Sequence, residues 1–457
     1  MEAKRILGQF LFMKRKLLSL YLTLIFSPRY RSFRRLLAEF KRKLTLRPHV
    51  ISVFLQVDDP YSYLLSHYLP LIASQYKNVE LRYYLCQALR HEFMPAPELL
   101  VEYAPMECRL LAHEFGVPFL DKGDAPVVEH RRDLLDFLAD EQGEEEFDQS
   151  IRQALGAYWR GDVEGVVRLL GRPQPSRPDT NILISQNQEL LRKMGHYNAA
   201  TMHYAGEWYW GVDRLHYLTS RLDALGQNRW PEQNADLASL QQAKQLTLPA
   251  RVPGTADKLP PLEMFYSFRS PYSYLALERT FAIADAFGLK LEVRPVLPMV
   301  MRGMAVPRRK LLYIAKDASR EAERLGVPFG KMFDPVGAGA ERCIAAFYYA
   351  RTQGRERDFL LAAGKAIWAE GIDVARDEGM EHVAEGSGIF WPELKAALTL
   401  DDWRSNAEAN RQVMTEAGVW GVPSFKIGEL ALWGQDRDWL LARMIEDMCH
   451  TGDGIIV

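Results

Sequence analysis

The tetrapeptide Pro60-Tyr61-Ser62-Tyr63 recurs as Pro271-Tyr272-Ser273-Tyr274, each time after an apolar, strand-like run and at the head of a helix-like one. Far downstream, Trp210-Gly211-Val212-Asp213-Arg214 is answered by Trp433-Gly434-Gln435-Asp436-Arg437. The interval between the two markers is about the same in both halves. This order and spacing imply a tandem duplication, one domain type built twice. A chain of 457 residues fits that reading, being too long for a single hydrophobic core.

The first copy starts near His49. Val50 to Val57 reads as a strand, Pro60 to Tyr76 as a helix and Val79 to Leu85 as a second strand. The second copy repeats the order with Leu262 to Phe268, Pro271 to Phe287 and Leu289 to Leu297. Strand, crossover helix and strand make a βαβ unit with parallel pairing. A mostly helical stretch follows in each copy, including Glu107 to Phe119 and Leu311 to Phe329, both ending Gly-Val-Pro-Phe. Two short strands and a helix close each copy, near Leu225 and Met448. Residues 226–261 are polar and punctuated by prolines, as a linker is. The expected organisation is an arm at 1–48, domains at 49–225 and 262–450, and the linker between them.

Charge separates the arm from the body. Residues 1–48 hold 13 Lys/Arg against Glu2 and Glu39, whereas the remainder holds 44 basic and 57 acidic residues. The body is therefore no nucleic-acid binder by charge, and any electrostatic partnership belongs to the arm. Phe33, Leu36, Leu37, Phe40 and Leu44 recur at helical spacing among Arg34, Arg35, Lys41, Arg42 and Lys43. Such a helix either docks its apolar stripe on the acidic body or adsorbs to a membrane surface. Leu17 to Phe26 is apolar but too short to span a bilayer. Lys14-Arg15-Lys16 is like the start of a signal peptide, yet Ser27-Pro28-Arg29-Tyr30-Arg31 lacks a small-x-small cleavage site. A cytoplasmic protein is expected.

Four scattered cysteines, with no C-x-x-C, argue against a disulfide framework, a zinc knuckle and a dithiol redox site. Ten histidines show no ligand spacing with acids or cysteines, so no metal is expected. Three elements remain. Ser270-Pro271 is a favoured helix start, serine capping and proline at the first helical position. Val422-Pro423 is an X-Pro step in a turn before a strand. Asp436-Arg437 puts an acid at the start of the last helix. Each alone has an ordinary structural explanation.

Together they carry a resemblance. Residues 262–447 resemble 2-hydroxychromene-2-carboxylate isomerases and kappa-class glutathione transferases, thioredoxin-like proteins of the DsbA superfamily. The similarity lies in Ser270-Pro271-Tyr272-Ser273-Tyr274-Leu275-Ala276; in Tyr313, Asp317, Arg320 and Ala322 ahead of Gly326-Val327-Pro328-Phe329; and in Trp368 with Glu370-Gly371-Ile372-Asp373. Gly421-Val422-Pro423-Ser424-Phe425 and the final Trp-Gly marker complete it, and the first copy carries a thinner version. The resemblance implies an α/β fold of two tandem DsbA-like domains, each with an inserted helical subdomain, plus the basic helix. It further implies glutathione as cofactor. Ser270 would hydrogen-bond the glutathione sulfur, the backbone of Val422 before a cis Pro423 would pair with the cysteinyl backbone, and Gln435 and Asp436 would hold the γ-glutamyl end. Kappa enzymes usually have a small serine at the position of Gln435, so that contact departs from the pattern.

DsbA-type oxidases carry cysteines where Ser270 and Ser273 stand here, so dithiol exchange lacks its nucleophile. The implied activity is a glutathione-dependent isomerase or transferase acting on an electrophile or unsaturated aromatic acid; a non-catalytic binding module for a peptide or protein is the alternative. Met299, Met301 and Met304 either line the cleft or pack in the helical core. The first copy departs where chemistry should sit: Asp59 replaces the serine and Asn198-Ala199-Ala200-Thr201 replaces Gly421-Val422-Pro423-Ser424. It is expected to be a non-catalytic partner. Because such relatives are commonly homodimers, the two halves are expected to pair within one monomeric chain.

Overall fold

A computed structural model describes residues 16–17, 19–87, 93–119, 126–171, 179–230, 244–249 and 259–451. Much of the expected linker, and Lys14 and Arg15, fall outside them. The chain divides into two compact units: residues 34–245, and residues 246–457 with the N-terminal segment up to Phe33. The basic arm is thus shared between the units.

In the N-terminal unit β1 (His49–Leu55) pairs in parallel with β2 (Val79–Leu85) and antiparallel with β3 (Thr201–Tyr204), which pairs antiparallel with β4 (Glu207–Trp210). The C-terminal unit repeats this with β5 (Leu262–Tyr266), β6 (Leu291–Pro295), β7 (Ser424–Ile427) and β8 (Leu430–Trp433). Both sheets have the second strand at one edge and the first strand beside it, then the third and the fourth. All five residues of β5 are buried, as befits a central strand covered on both faces. Glu263 on β5 is satisfied across the sheet by Arg294 of β6 and, at 3.3 Å, by Lys426 of β7.

The duplication extends to individual hydrogen bonds. Trp159 Nε1 donates to the Val57 carbonyl at 3.1 Å and Trp368 Nε1 to the Phe268 carbonyl at 3.2 Å. Asn187 Nδ2 donates to the carbonyl ending β2 at 3.0 Å, and Asn410 Nδ2 to the one ending β6 at 2.9 Å. The Tyr61 hydroxyl donates to Glu107 as the Tyr272 hydroxyl does to Asp317.

The crossover helices differ. The single helix expected over Pro60 to Tyr76 is broken into Pro60–Ser66 and Leu69–Gln75, whereas Pro271–Phe287 is continuous. Pro70 is the cause, because it lacks an N–H and clashes with the preceding turn. The expected helix in the arm forms as Pro28–Leu44, but it buries none of its residues. Phe33, Leu36, Leu37, Phe40 and Leu44 point to solvent, not onto the body.

Candidate active site

Ser270 caps the Pro271–Phe287 helix in extended geometry, and its Oγ accepts the Ser273 N–H at 3.1 Å. The helix starts here because Ser270 satisfies an orphan donor and Pro271 at the first position has none to lose. The same hydroxyl donates its proton to the Val422 carbonyl at 3.2 Å. The Val422–Pro423 peptide is the one cis bond among the described residues. Ser270 and the Val422–Pro423 step, with Ser270 and Val422 152 residues apart in sequence, are thereby brought together. Ser270 and Val422 are both half-buried, so the hydroxyl remains within reach of a ligand.

The loop after β8 is tied to the same place, since the Gly434 N–H donates to the Pro423 carbonyl at 3.0 Å. Gly434 has φ +117, and a β-carbon there would lie 2.7 Å from Asp436 Oδ1, so glycine is required for the acid to sit where it does. Asp436 is half-buried, with Oδ1 3.5 Å from Arg437 Nη1. Gln435 turns inward instead: it is 2% exposed and its Nε2 donates to Glu321 Oε2 at 3.0 Å. Its amide therefore positions the loop from behind. Gly421 is equally constrained, because a β-carbon would lie 2.5 Å from the Trp433 indole.

A buried polar row on the Arg308–Leu325 helix supports both walls. Asp317 accepts from Tyr272 and Arg320, each at 2.7 Å. Glu321 accepts from Gln435 and, at 2.8 Å, from Arg324. Spacings of three and four residues put these charges on one face of the helix. Next to Ser270, Arg269 is paired bidentately with Asp334 at 2.7 and 2.9 Å. After the site, Asp438 is buried against Arg279; burial pushes its carboxyl up while the arginine opposes the rise. Met299, Met301 and Met304 are half-buried, and Met301 Sδ accepts the Gly337 N–H at 3.4 Å.

Cys86, Cys108 and Cys343 are buried and none of the four cysteines occupies the helix start. Burial raises the Cys86 thiol to about 12 and Cys343 further still. No helix among the described residues is long and apolar enough to cross a membrane.

In the N-terminal unit Asp59 takes the place of Ser270. Its carboxylate caps the Pro60–Ser66 helix, accepting from Ser62 N–H at 3.1 Å and Ser62 Oγ at 2.6 Å. Burial pushes it up to about 6, aided by neighbouring Asp58 and opposed by the Ser62 bonds. The Gly211 N–H donates to Ala200 at 2.7 Å as Gly434 does to Pro423, which fixes the correspondence. Ala200 holds φ +49 there, a left-handed conformation that costs an alanine about 1–2 kcal/mol.

Sequence reading missed the Trp159 and Asn187 anchors. Trp159-Arg160-Gly161 against Trp368-Ala369-Glu370-Gly371 was an available signal; the asparagines have none, since only the fold reveals the carbonyls they satisfy.

Residues 261–446 match the family model for the DSBA-like thioredoxin domain. The chain is 24% identical over 197 residues to the 2-hydroxychromene-2-carboxylate isomerase of Pseudomonas putida, covering 41% of this chain and 96% of that protein. A solved 2-hydroxychromene-2-carboxylate isomerase aligns at a TM-score of 0.37 and 24% identity, over 42% of this chain and 97% of that one. The cytosolic disulfide reductase DsbM of Pseudomonas aeruginosa, solved with GSH, aligns at 0.32 and 22%, over 42% of this chain and 100% of that one.

Proposed function

We propose that the C-terminal unit, a DsbA-like thioredoxin domain, works as a glutathione-dependent isomerase or transferase from Ser270. The observation that carries this reading is a half-buried serine hydroxyl at a helix N-terminus, facing the Val422 carbonyl, where dithiol exchange would need cysteine. The relatives named 2-hydroxychromene-2-carboxylate isomerase support the isomerase class.

Glutathione bound there would supply a thiolate nucleophile for reversible addition to an unsaturated carbon. The residues fit such a group. A hydroxyl has one proton, and a thiolate is a stronger acceptor than the neutral carbonyl 3.2 Å away. When the Ser270 proton turns to sulfur, the Val422 carbonyl is released to accept a backbone N–H from the ligand, as an added strand would provide. The partial positive charge of the helix N-terminus holds the thiol below its free pKa of about 8.5. The Asp436 carboxylate suits the free ammonium of the γ-glutamyl end.

Calorimetry with glutathione is expected to give one site per chain; two equivalent sites, or none, defeat the proposal. Ser270→Ala is expected to raise the pKa of the bound thiol and slow isomerisation of 2-hydroxychromene-2-carboxylate, followed by absorbance. Identical thiol titration in both proteins would leave Ser270 as a cap and nothing more.

A binding module is the second reading, favoured by Asp59 and Ala200 in the other unit and by the engagement of Gln435 with Glu321. Failure of immobilised glutathione to retain the chain, with capture of a peptide or protein partner instead, selects it. Under either reading we expect a cytoplasmic chain whose halves pair internally. Light scattering should give the mass of one chain.

A further inference from the structure

The arm is inside out for a helix on a globular protein. Ten of the 19 strongly exposed large apolar residues among those described lie between Leu17 and Leu46, so this surface is concentrated, not scattered. Phe33, Leu36, Leu37, Phe40 and Leu44 are 50–71% exposed. At 3.6 residues per turn they fall within an arc of about 100°. The preceding residues 19–25 are helical too. There Leu20, Tyr21 and Leu24, with Leu17 before them, repeat the same spacing and are 59–63% exposed.

The opposite, polar side is what holds the arm. Arg31 is ion-paired with Glu323, and Arg35 with both oxygens of Glu207 at 2.6 and 2.8 Å. Arg42 is bound to Glu39 of its own helix. Ahead of them, Phe26 is buried, Ser319 Oγ donates to its carbonyl at 2.7 Å, and Ser19 donates to the Met332 carbonyl. The apolar stripe is thus left outward by the way the arm is anchored.

Its rims are cationic. On the helical projection Arg34 and Lys41 flank the stripe on one side and Lys43 on the other, and all three are exposed. Arg29, also exposed, falls within the arc near its edge. An apolar face with long basic side chains along its borders matches an anionic bilayer surface: the rings and leucines enter the acyl boundary while the cations reach the headgroups. The arm as a whole carries 13 Lys/Arg against two acids, an excess of positive charge that suits acidic lipid.

We propose that residues 17–46 form an interfacial anchor that seats the protein on an anionic membrane surface without crossing it. The test is co-sedimentation of the full chain with vesicles of phosphatidylcholine alone and of phosphatidylcholine with 30% phosphatidylglycerol. Binding is expected to the anionic vesicles at low salt and to be lost at 0.5 M salt, where charges are screened within a few ångströms. Replacing Arg34, Lys41 and Lys43 by glutamine should weaken it by about fivefold per charge removed. Leu36→Asp with Phe40→Asp should abolish it with unchanged circular dichroism, because both side chains are exposed. Failure of the folded chain to pellet with anionic vesicles overturns the proposal. So does equal binding to both vesicle types, or a dimer in light scattering that the Asp variants dissociate while vesicle binding persists.

Discussion

The two helix starts use one frame for opposite electrostatics. In the C-terminal unit Arg269 and Ser270 precede the helix, and the hydroxyl faces a carbonyl beside a cis proline. In the N-terminal unit Asp58 and Asp59 precede it, the capping carboxylate is half-buried, and Ala200 fills the proline's place at φ +49. Sheet order, Trp and Asn anchors and the glycine-to-carbonyl bond are common to both. The frame therefore tolerates either start, and the difference is one of chemistry. A thiolate beside Ser270 gains a donor; beside Asp59 it meets a carboxylate, which disfavours its ionisation.

The largest expected effect tests whether the buried charges behind the site belong to that difference. Asp317→Leu removes the carboxylate that accepts from both Tyr272 and the buried Arg320, and should cost about 3–5 kcal/mol. Glu107→Gln in the other unit keeps an acceptor for Tyr61 and Tyr103 and should cost less, about 1–2 kcal/mol. Urea unfolding of the two variants checks the ranking; equal costs would make the two polar interiors equivalent.

Asp59 offers a sharper contrast through pH. Its folded pKa of about 6 exceeds the ordinary 3.8, so the folded unit holds the proton more tightly than the unfolded chain does. The stability this gives is fully present below pH 3.8 and is lost as pH rises through 6. Asp59→Asn keeps the cap and should stabilise the protein at pH 7.5 by up to about 3 kcal/mol, with no gain at pH 3.5. A gain that does not vary with pH would assign the effect to packing instead.

Helix contact gives a smaller one. A β-carbon on Gly364 would lie 2.5 Å from the Tyr274 ring, while one on Gly156 clears Tyr63 at 3.5 Å. Gly364→Ala should destabilise by about 1–3 kcal/mol and Gly156→Ala by less than about 1, measured as unfolding midpoints. The smallest is Ser270→Ala, whose lost cap costs only about 1 kcal/mol of stability, so any larger loss of turnover is chemical. Asp59→Ala should leave activity unchanged.

Much of the fold was legible because its signals are local. Two apolar runs around a proline-led helix, repeated with the same tetrapeptide, specify the βαβ units, and β2 falls where its alternation places it. Even the break at Pro70 follows from one residue, although the apolar run around it reads as continuous helix. Ser270, Val422 and Pro423 were legible as a set by resemblance, but their contact joins residues 152 apart, and no pattern in either segment shows it. Gln435 illustrates the limit: the resemblance implies a ligand contact there, and only the fold shows that Glu321, 114 residues earlier, accepts from its amide.

By itself, then, the sequence determined the repeat, the strand and helix periods and the amphipathic character of the arm, since each depends on spacings of two to four residues. Tertiary structure alone decided which partners the polar atoms of Ser270 and Gln435 take, and which face of the arm is held. Amphipathic spacing is symmetric in that respect: it says that one face differs from the other. Only Glu323 and Glu207, placed by the folded units, drew the arginine face inward and left the leucines outside.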